Sequence, residues 1–194
     1  MVGFYVLTQD ITHRKQLEIE LEQHALFDAL TGLPNRRALT EQLPKAMARS
    51  SRTGQTMALL FMDLDGFKAV NDTYGHDAGD ELLQQFALRV QSLLRGTDTL
   101  FRLGGDEFTL ILENLAGEAP DAERKAQQLL DAIRSPFTLS AAQVAISGSI
   151  GIALHAPEAT LSADALLTLA DGAMYQAKRA GKNQFVRAPT PEKS

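Results

Sequence analysis

Residues 57–68 read MALLFMDLDGFK and residues 101–112 read FRLGGDEFTLIL, and these two stretches decide the fold. The first opens with the longest uninterrupted apolar run of the chain, Met57 to Met62, and passes into Asp63 and Asp65. A short apolar block bounded by turn signals reads as a buried strand. The second holds two short strands, from Thr99 to Leu112, around Gly104-Gly105-Asp106, a hairpin signal because glycine takes positive φ without steric cost. Each stretch alone also fits a strand that simply stops at a polar turn. If the two ends lie side by side, however, Asp63, Asp106 and Glu107 gather negative charge that requires a cation. Hard oxygen ligands of this kind suit Mg²⁺, which binds through one or two carboxylates plus substrate phosphates. A pair of such ions clamps the attacking and leaving oxygens of phosphoryl or nucleotidyl transfer.

The flanking residues extend the pattern of a compact α+β domain. A helix starts near Pro34 and Asn35 and runs to about Arg52. A second spans Asp77 to Arg95, with Leu82, Leu83, Phe86, Val90, Leu93 and Leu94 on one face and Gly96 as its stop. Further helices are read from Asp121 to Arg134 and from Ser162 to Arg179, with a strand from Val144 to Leu154 between them. Phe185 to Arg187 adds an edge strand, and residues 187–194 form a solvated tail. Residues 1–10 alternate like a strand. Residues 11–27 carry Leu17, Leu21, His24 and Phe27 at helical spacing, which a coiled-coil seam and an ordinary linker helix share.

Composition narrows the chemistry. The 194 residues are 44% hydrophobic and 22% charged, enough for one domain with its own core. There is no cysteine, which removes disulfides, thiolate metal sites and cysteine nucleophiles together. Nineteen basic against twenty-four acidic residues give a net charge of −5, the wrong sign for a nucleic-acid polymer as partner. No apolar run approaches the roughly 18 residues of a membrane span, and no secretory signal is visible, so a cytoplasmic location is expected.

The surroundings of the acids suit a nucleoside triphosphate. Gly66 and Phe67 begin a turn whose backbone N–H groups would face phosphate oxygens, and Lys68 adds a cation. Lys178 and Lys182 straddle the end of the last helix, where lysines are also favoured by the helix dipole. Asn71 and Asp80 offer an amide and a carboxylate that suit a guanine edge, although taken singly they fit a turn former and a helix-start acid better. His76 reads as structural.

Five ordered blocks now stand together: DALTGLPNRR at 28–37, FMDLDGFKAVNDTYGHDAGDELL at 61–83, RLGGDEF at 102–108, SIGIAL at 149–154 and MYQAKRAGKNQF at 174–185. As a set they resemble the GGDEF family, the diguanylate cyclases of bacterial signalling, over residues 28–186. The resemblance implies a central, mostly antiparallel sheet wrapped by helices, related to the adenylyl cyclase and polymerase palm architecture. It implies condensation of two GTP into cyclic di-GMP with release of two pyrophosphates, in a homodimer whose two domains each bind one GTP.

By the same resemblance, Asp63, Asp106 and the Leu64 carbonyl hold Mg²⁺, with Mn²⁺ as a substitute, and Glu107 supports the metal or the phosphates. Asp106 is also the candidate base for the ribose 3′-hydroxyl. Lys68 stabilises the transferring phosphate, Lys178 and Lys182 the β- and γ-phosphates, and Asn71 and Asp80 the guanine. The family more often carries arginine at the position of Lys182, and lysine loses the bidentate geometry. Arg95 and Asp98 match an RxxD motif of product inhibition by cyclic di-GMP; a helix-end ion pair at this spacing would look the same. Residues 3–21, GFYVLTQDITHRKQLEIEL, resemble the last strand of a PAS sensor domain and the signalling helix after it, which implies a piece of a larger sensor. A non-catalytic GGDEF module that binds GTP or cyclic di-GMP is the alternative reading.

Overall fold

A computed structural model describes residues 25–116 and 119–189. The PAS-like strand and nearly all of the linker helix expected before Asp28 lie outside the described residues.

Strand β1 (Thr56–Asp65) is buried at all ten positions, because it is the middle strand of a five-stranded sheet. Its neighbours are β3 (Glu107–Leu115) and β6 (Ser147–His155), both antiparallel to it. β2 (Thr99–Gly104) pairs antiparallel with β3, and β7 (Gln184–Arg187) pairs parallel with β6, giving the order β2-β3-β1-β6-β7. The expected α+β architecture is observed, with one parallel pair at the β7 edge.

Side chains of a strand alternate between faces, so β1 divides the interior in two. Ala58, Leu60, Met62 and Leu64 face α3 (His76–Gln91) and α4 (Ala119–Arg134). Met57, Leu59 and Phe61 face α1 (Arg36–Thr53) and α5 (Ala163–Arg179). The same alternation carries Asp63 and Asp65 onto the second face, just beyond its apolar residues. The Asn35 side chain caps α1 by accepting from the N–H groups of Arg37 and Ala38, and Gly54 ends it in the left-handed region.

Three elements differ from the expected ones. The turn after Gly66 is a helix, α2 (Phe67–Tyr74), separated from α3 by Gly75. α3 stops at Gln91 rather than Arg95: Leu93 and Leu94 donate to Val90 and Gln91, i→i−3 bonds that tighten the chain out of the helix before Gly96. The strand expected over Val144–Leu154 is interrupted. β5 (Gln143–Val144) pairs with β4 (Phe137–Thr138) in a separate small hairpin, and only from Ser147 does the chain join β1.

Candidate active site

The carboxylates meet because of strand register. Asp63 lies opposite Glu107 across β1 and β3, and the Leu64 N–H donates to the Asp106 carbonyl at 3.3 Å. The GGDEF turn therefore sits beside the end of β1. Asp63 is buried, Asp106 and Glu107 are half-buried, and Leu64 points into the core on the opposite face. Burial is the largest influence on Asp63 and pushes its carboxyl above the ordinary value; Lys178 opposes this, while the charges of Asp106 and Asp65 add to it.

Lys178, on the last turn of α5, places Nζ 2.5 Å from Asp63 Oδ2. The lysine expected at the phosphates thus balances the acid itself. Glu107 turns outward to Arg36, at 3.5 Å, so its carboxylate is held beside the start of α1. Among the described residues no three acid or histidine side chains form a ready-made metal cluster. A site of two close carboxylates with an excess of negative charge fits a divalent ion that completes its shell with substrate oxygens.

Gly66 (φ 91°) is the N-cap of α2 and makes no side-chain cap bond, so the first N–H groups of that helix, from Phe67 onward, have no capping side chain. Lys68, in the first turn of α2, is exposed, as are Asp80 and Lys182. Asn71 packs against α3 where there is no room for a side chain: a Cβ on Gly79 would lie 1.8 Å from Asn71 Oδ1. That Oδ1 is buried without a hydrogen-bond partner. Arg95 and Asp98 lie apart from this site, in a small hollow that Arg124, Lys125 and Gln128 of α4 also line. Asp98 accepts from the Arg95 backbone N–H at 3.0 Å instead of forming the side-chain ion pair, leaving the guanidinium exposed.

Two supports were not among the expected site residues. Arg102, buried in β2, donates to the Gly105 carbonyl from Nε (3.1 Å) and Nη2 (2.9 Å) and to Asp28 Oδ1 from Nη1 (2.8 Å). It ties the GGDEF turn to the loop before α1. Burial works against the Asp28 charge, yet hydrogen bonds from Thr31 and Arg102 hold its carboxyl below the ordinary value. The sequence signal was a lone arginine inside an apolar strand. Asp65 is the second support, accepting from Ser147 and Ser149 at 3.0 Å; its signal was the two-residue spacing from Asp63, which places both on one face.

Residues 25–184 match the family model described as "Diguanylate cyclase, GGDEF domain". The bifunctional diguanylate cyclase/cyclic di-GMP phosphodiesterase MucR of Pseudomonas aeruginosa is 48% identical over 166 residues, covering 86% of this chain and 24% of MucR. The diguanylate cyclase DgcS of Shewanella oneidensis is 38% identical over 185 residues, covering 95% of this chain and 60% of DgcS. The chain therefore spans less than two thirds of either relative. The crystal structure of the coiled coil and GGDEF domain of DgcB from Caulobacter crescentus, in complex with c-di-GMP, superposes with a TM-score of 0.83 at 27% identity. That match covers 92% of this chain and 94% of the DgcB chain.

Proposed function

Since the chain belongs to the GGDEF family of diguanylate cyclase domains, we propose that it condenses two GTP molecules into cyclic di-GMP and two pyrophosphates. The observation that carries this reading is the buried Asp63 carboxylate, held beside the GGDEF turn with Lys178 on one side and the charge of Asp106 on the other. Asp63, Asp106 and the Leu64 carbonyl would hold Mg²⁺, with Glu107 in support. The ion would lower the cost of ionising the ribose 3′-hydroxyl and of charge on the leaving pyrophosphate.

The chain's own residues do the rest. Backbone N–H groups at Gly66 and Phe67 bind phosphate at the positive end of α2, and Lys68 stands next to them. Lys178 and Lys182 take the outer phosphates, Lys178 remaining within reach of Asp63. Asn71 and Asp80 read the guanine, the Asn71 amide being fixed by its contact with Gly79. In each half-reaction the 3′-oxygen of one nucleotide bonds to the α-phosphorus of the other, the bond to pyrophosphate breaks, and the hydroxyl proton leaves toward Asp106. One domain supplies one GTP, so two copies must face each other, and the linker before Asp28 sets their juxtaposition. Cyclic di-GMP binding at Arg95 and Asp98 inhibits. The structure of DgcB with c-di-GMP supports a product-binding role for the fold. No helix among the described residues is long and apolar enough to cross a membrane, in keeping with a domain that works in the cytoplasm, where GTP is present.

The test is to incubate the purified chain with GTP and Mg²⁺ and separate the nucleotides by chromatography. Cyclic di-GMP is expected from the parent chain and not from Asp106→Asn. Absence of product at high protein concentration, with GTP still bound, would overturn the proposal in favour of a nucleotide receptor.

A further inference from the structure

The turn between α5 and β7 holds two consecutive non-glycine residues in the left-handed region, Lys182 at φ 63° and Asn183 at φ 51°. Such residues are uncommon, and a side chain there costs conformational energy that surrounding contacts must offset. The contacts converge on Asn183 from both sides. Its backbone N–H donates to Asp65 Oδ2 at 3.2 Å, and that buried carboxylate is itself fixed by Ser147 and Ser149. On the other side Arg134, the last residue of α4, donates from Nε to Asn183 Oδ1 at 2.8 Å and from Nη2 to the Asn183 carbonyl at 3.2 Å. The Lys182 N–H is tied back to the Ala177 carbonyl at 3.0 Å. The Lys182 backbone is thus fixed although its side chain is exposed and free of any ion pair among the described residues.

We propose that Asn183, clamped between the Asp65 carboxylate and the Arg134 guanidinium, is a positioning residue that fixes Lys182 for binding the outer phosphates of a nucleoside triphosphate. The inference rests on the reading of Lys182 given above and adds the device that aims it. A lysine ammonium on a flexible stem recognises phosphate as a point charge, so its usefulness depends on how firmly its backbone is held. The left-handed pair satisfies that need by directing the chain from α5 into β7 while Lys182 stays at the site's edge. Asparagine suits the position because it tolerates the left-handed region and offers a side-chain oxygen to Arg134.

The test uses 3′-deoxy-GTP, which lacks the attacking hydroxyl and cannot condense, and 3′-deoxy-GMP, which lacks the outer phosphates. Affinities of both are measured by calorimetry with Mg²⁺ for the parent, Arg134→Ala, Lys182→Ala and the double variant. Arg134 is half-exposed, and apart from the Asn183 bonds its alanine variant gives up a surface pair with Asp131 on its own helix. Arg134→Ala is expected to weaken triphosphate binding about tenfold, to leave monophosphate binding unchanged, and to have no further effect once Lys182 is alanine. Asn183→Gly, which keeps the backbone bonds and the left-handed conformation but loses the Oδ1 that Arg134 holds, should lose part of the triphosphate affinity, and Asn183→Val, which strains the left-handed conformation as well, should lose more. Equal weakening of both nucleotides, no weakening, or additive effects of Arg134→Ala and Lys182→Ala would each overturn the clamp. A parent chain that binds both nucleotides equally would instead overturn the reading of Lys182, and the clamp with it. Failure to make cyclic di-GMP bears on the cyclase proposal alone, because this measurement requires no turnover.

Discussion

Replacing Gly151 with alanine should separate α5 from the sheet and disarm the site without touching any of its residues. Gly151 lies in the middle of β6, and a Cβ built there would stand 2.0 Å from the Ala170 carbonyl oxygen and 2.2 Å from the Met174 nitrogen. Both are helix backbone atoms, so no rotamer change relieves the clash. Ordinary contact begins near 3.4 Å, so α5 must retreat by about 1.4 Å or β6 must yield as much. Overpacking of this kind costs about 1–3 kcal/mol, and the upper half of that range is expected because backbone must move. For a domain of this size each kcal/mol corresponds to roughly 2–4 °C in Tm, so a fall of about 4–12 °C is expected. The same retreat would stretch the Lys178–Asp63 pair from 2.5 Å to about 4 Å, beyond hydrogen-bond reach. Gly172→Ala on α5 is the control: nothing lies within 4 Å of its Cβ, and helix propensity predicts a gain of up to about 1 kcal/mol. Denaturant unfolding, thermal scans and chromatographic assay of cyclic di-GMP read all three effects. A Gly151→Ala chain as stable and as active as the parent would refute this account of how α5 is seated.

Arg102→Ala should lose about 2–3 kcal/mol in urea unfolding, because it strands a half-buried Asp28 and the Gly105 carbonyl, and should lower cyclase activity through the loosened GGDEF turn. Asp63→Asn should abolish divalent-ion binding while raising the metal-free Tm near pH 7. The native carboxyl titrates above its unfolded value, so its penalty is present above the folded pKa and disappears as pH falls below the unfolded one. His155 titrates in the opposite sense. Burial, only partly offset by the Met47 backbone, depresses its imidazole below the ordinary 6.5, so stability is full above that pH and declines as pH falls toward the folded value. Stability is therefore expected to decline as pH falls through 6.5, and His155→Leu should remove that decline from urea titrations between pH 7.5 and 5.5.

The sequence alone determined what depends on neighbours along the chain: the apolar run that becomes β1, the glycine hairpin that ends in Asp106 and Glu107, the Asn35 start of α1, and the lysines at the end of α5. These follow from periodicity, capping and turn chemistry, which act over a few residues. Where local signals were short or ambiguous they failed. The eight residues of α2 looked like a turn, and the apolar alternation from Val144 did not reveal that its first residues pair with β4 and the rest with β1.

The site was legible as a set of residues but not as a set of contacts. Only the register of β1 against β3 and β6 brings Asp63 beside the GGDEF turn and Asp65 beside Ser147 and Ser149. Only the close seating of α5 on Gly151 brings Lys178 to Asp63, and only the end of α4 brings Arg134 to Asn183. Partners separated by 49 to 118 positions, as Arg134 and Asp65 are from Asn183, leave no periodic trace in the chain. Their pairing is decided by how buried strands and helices pack together.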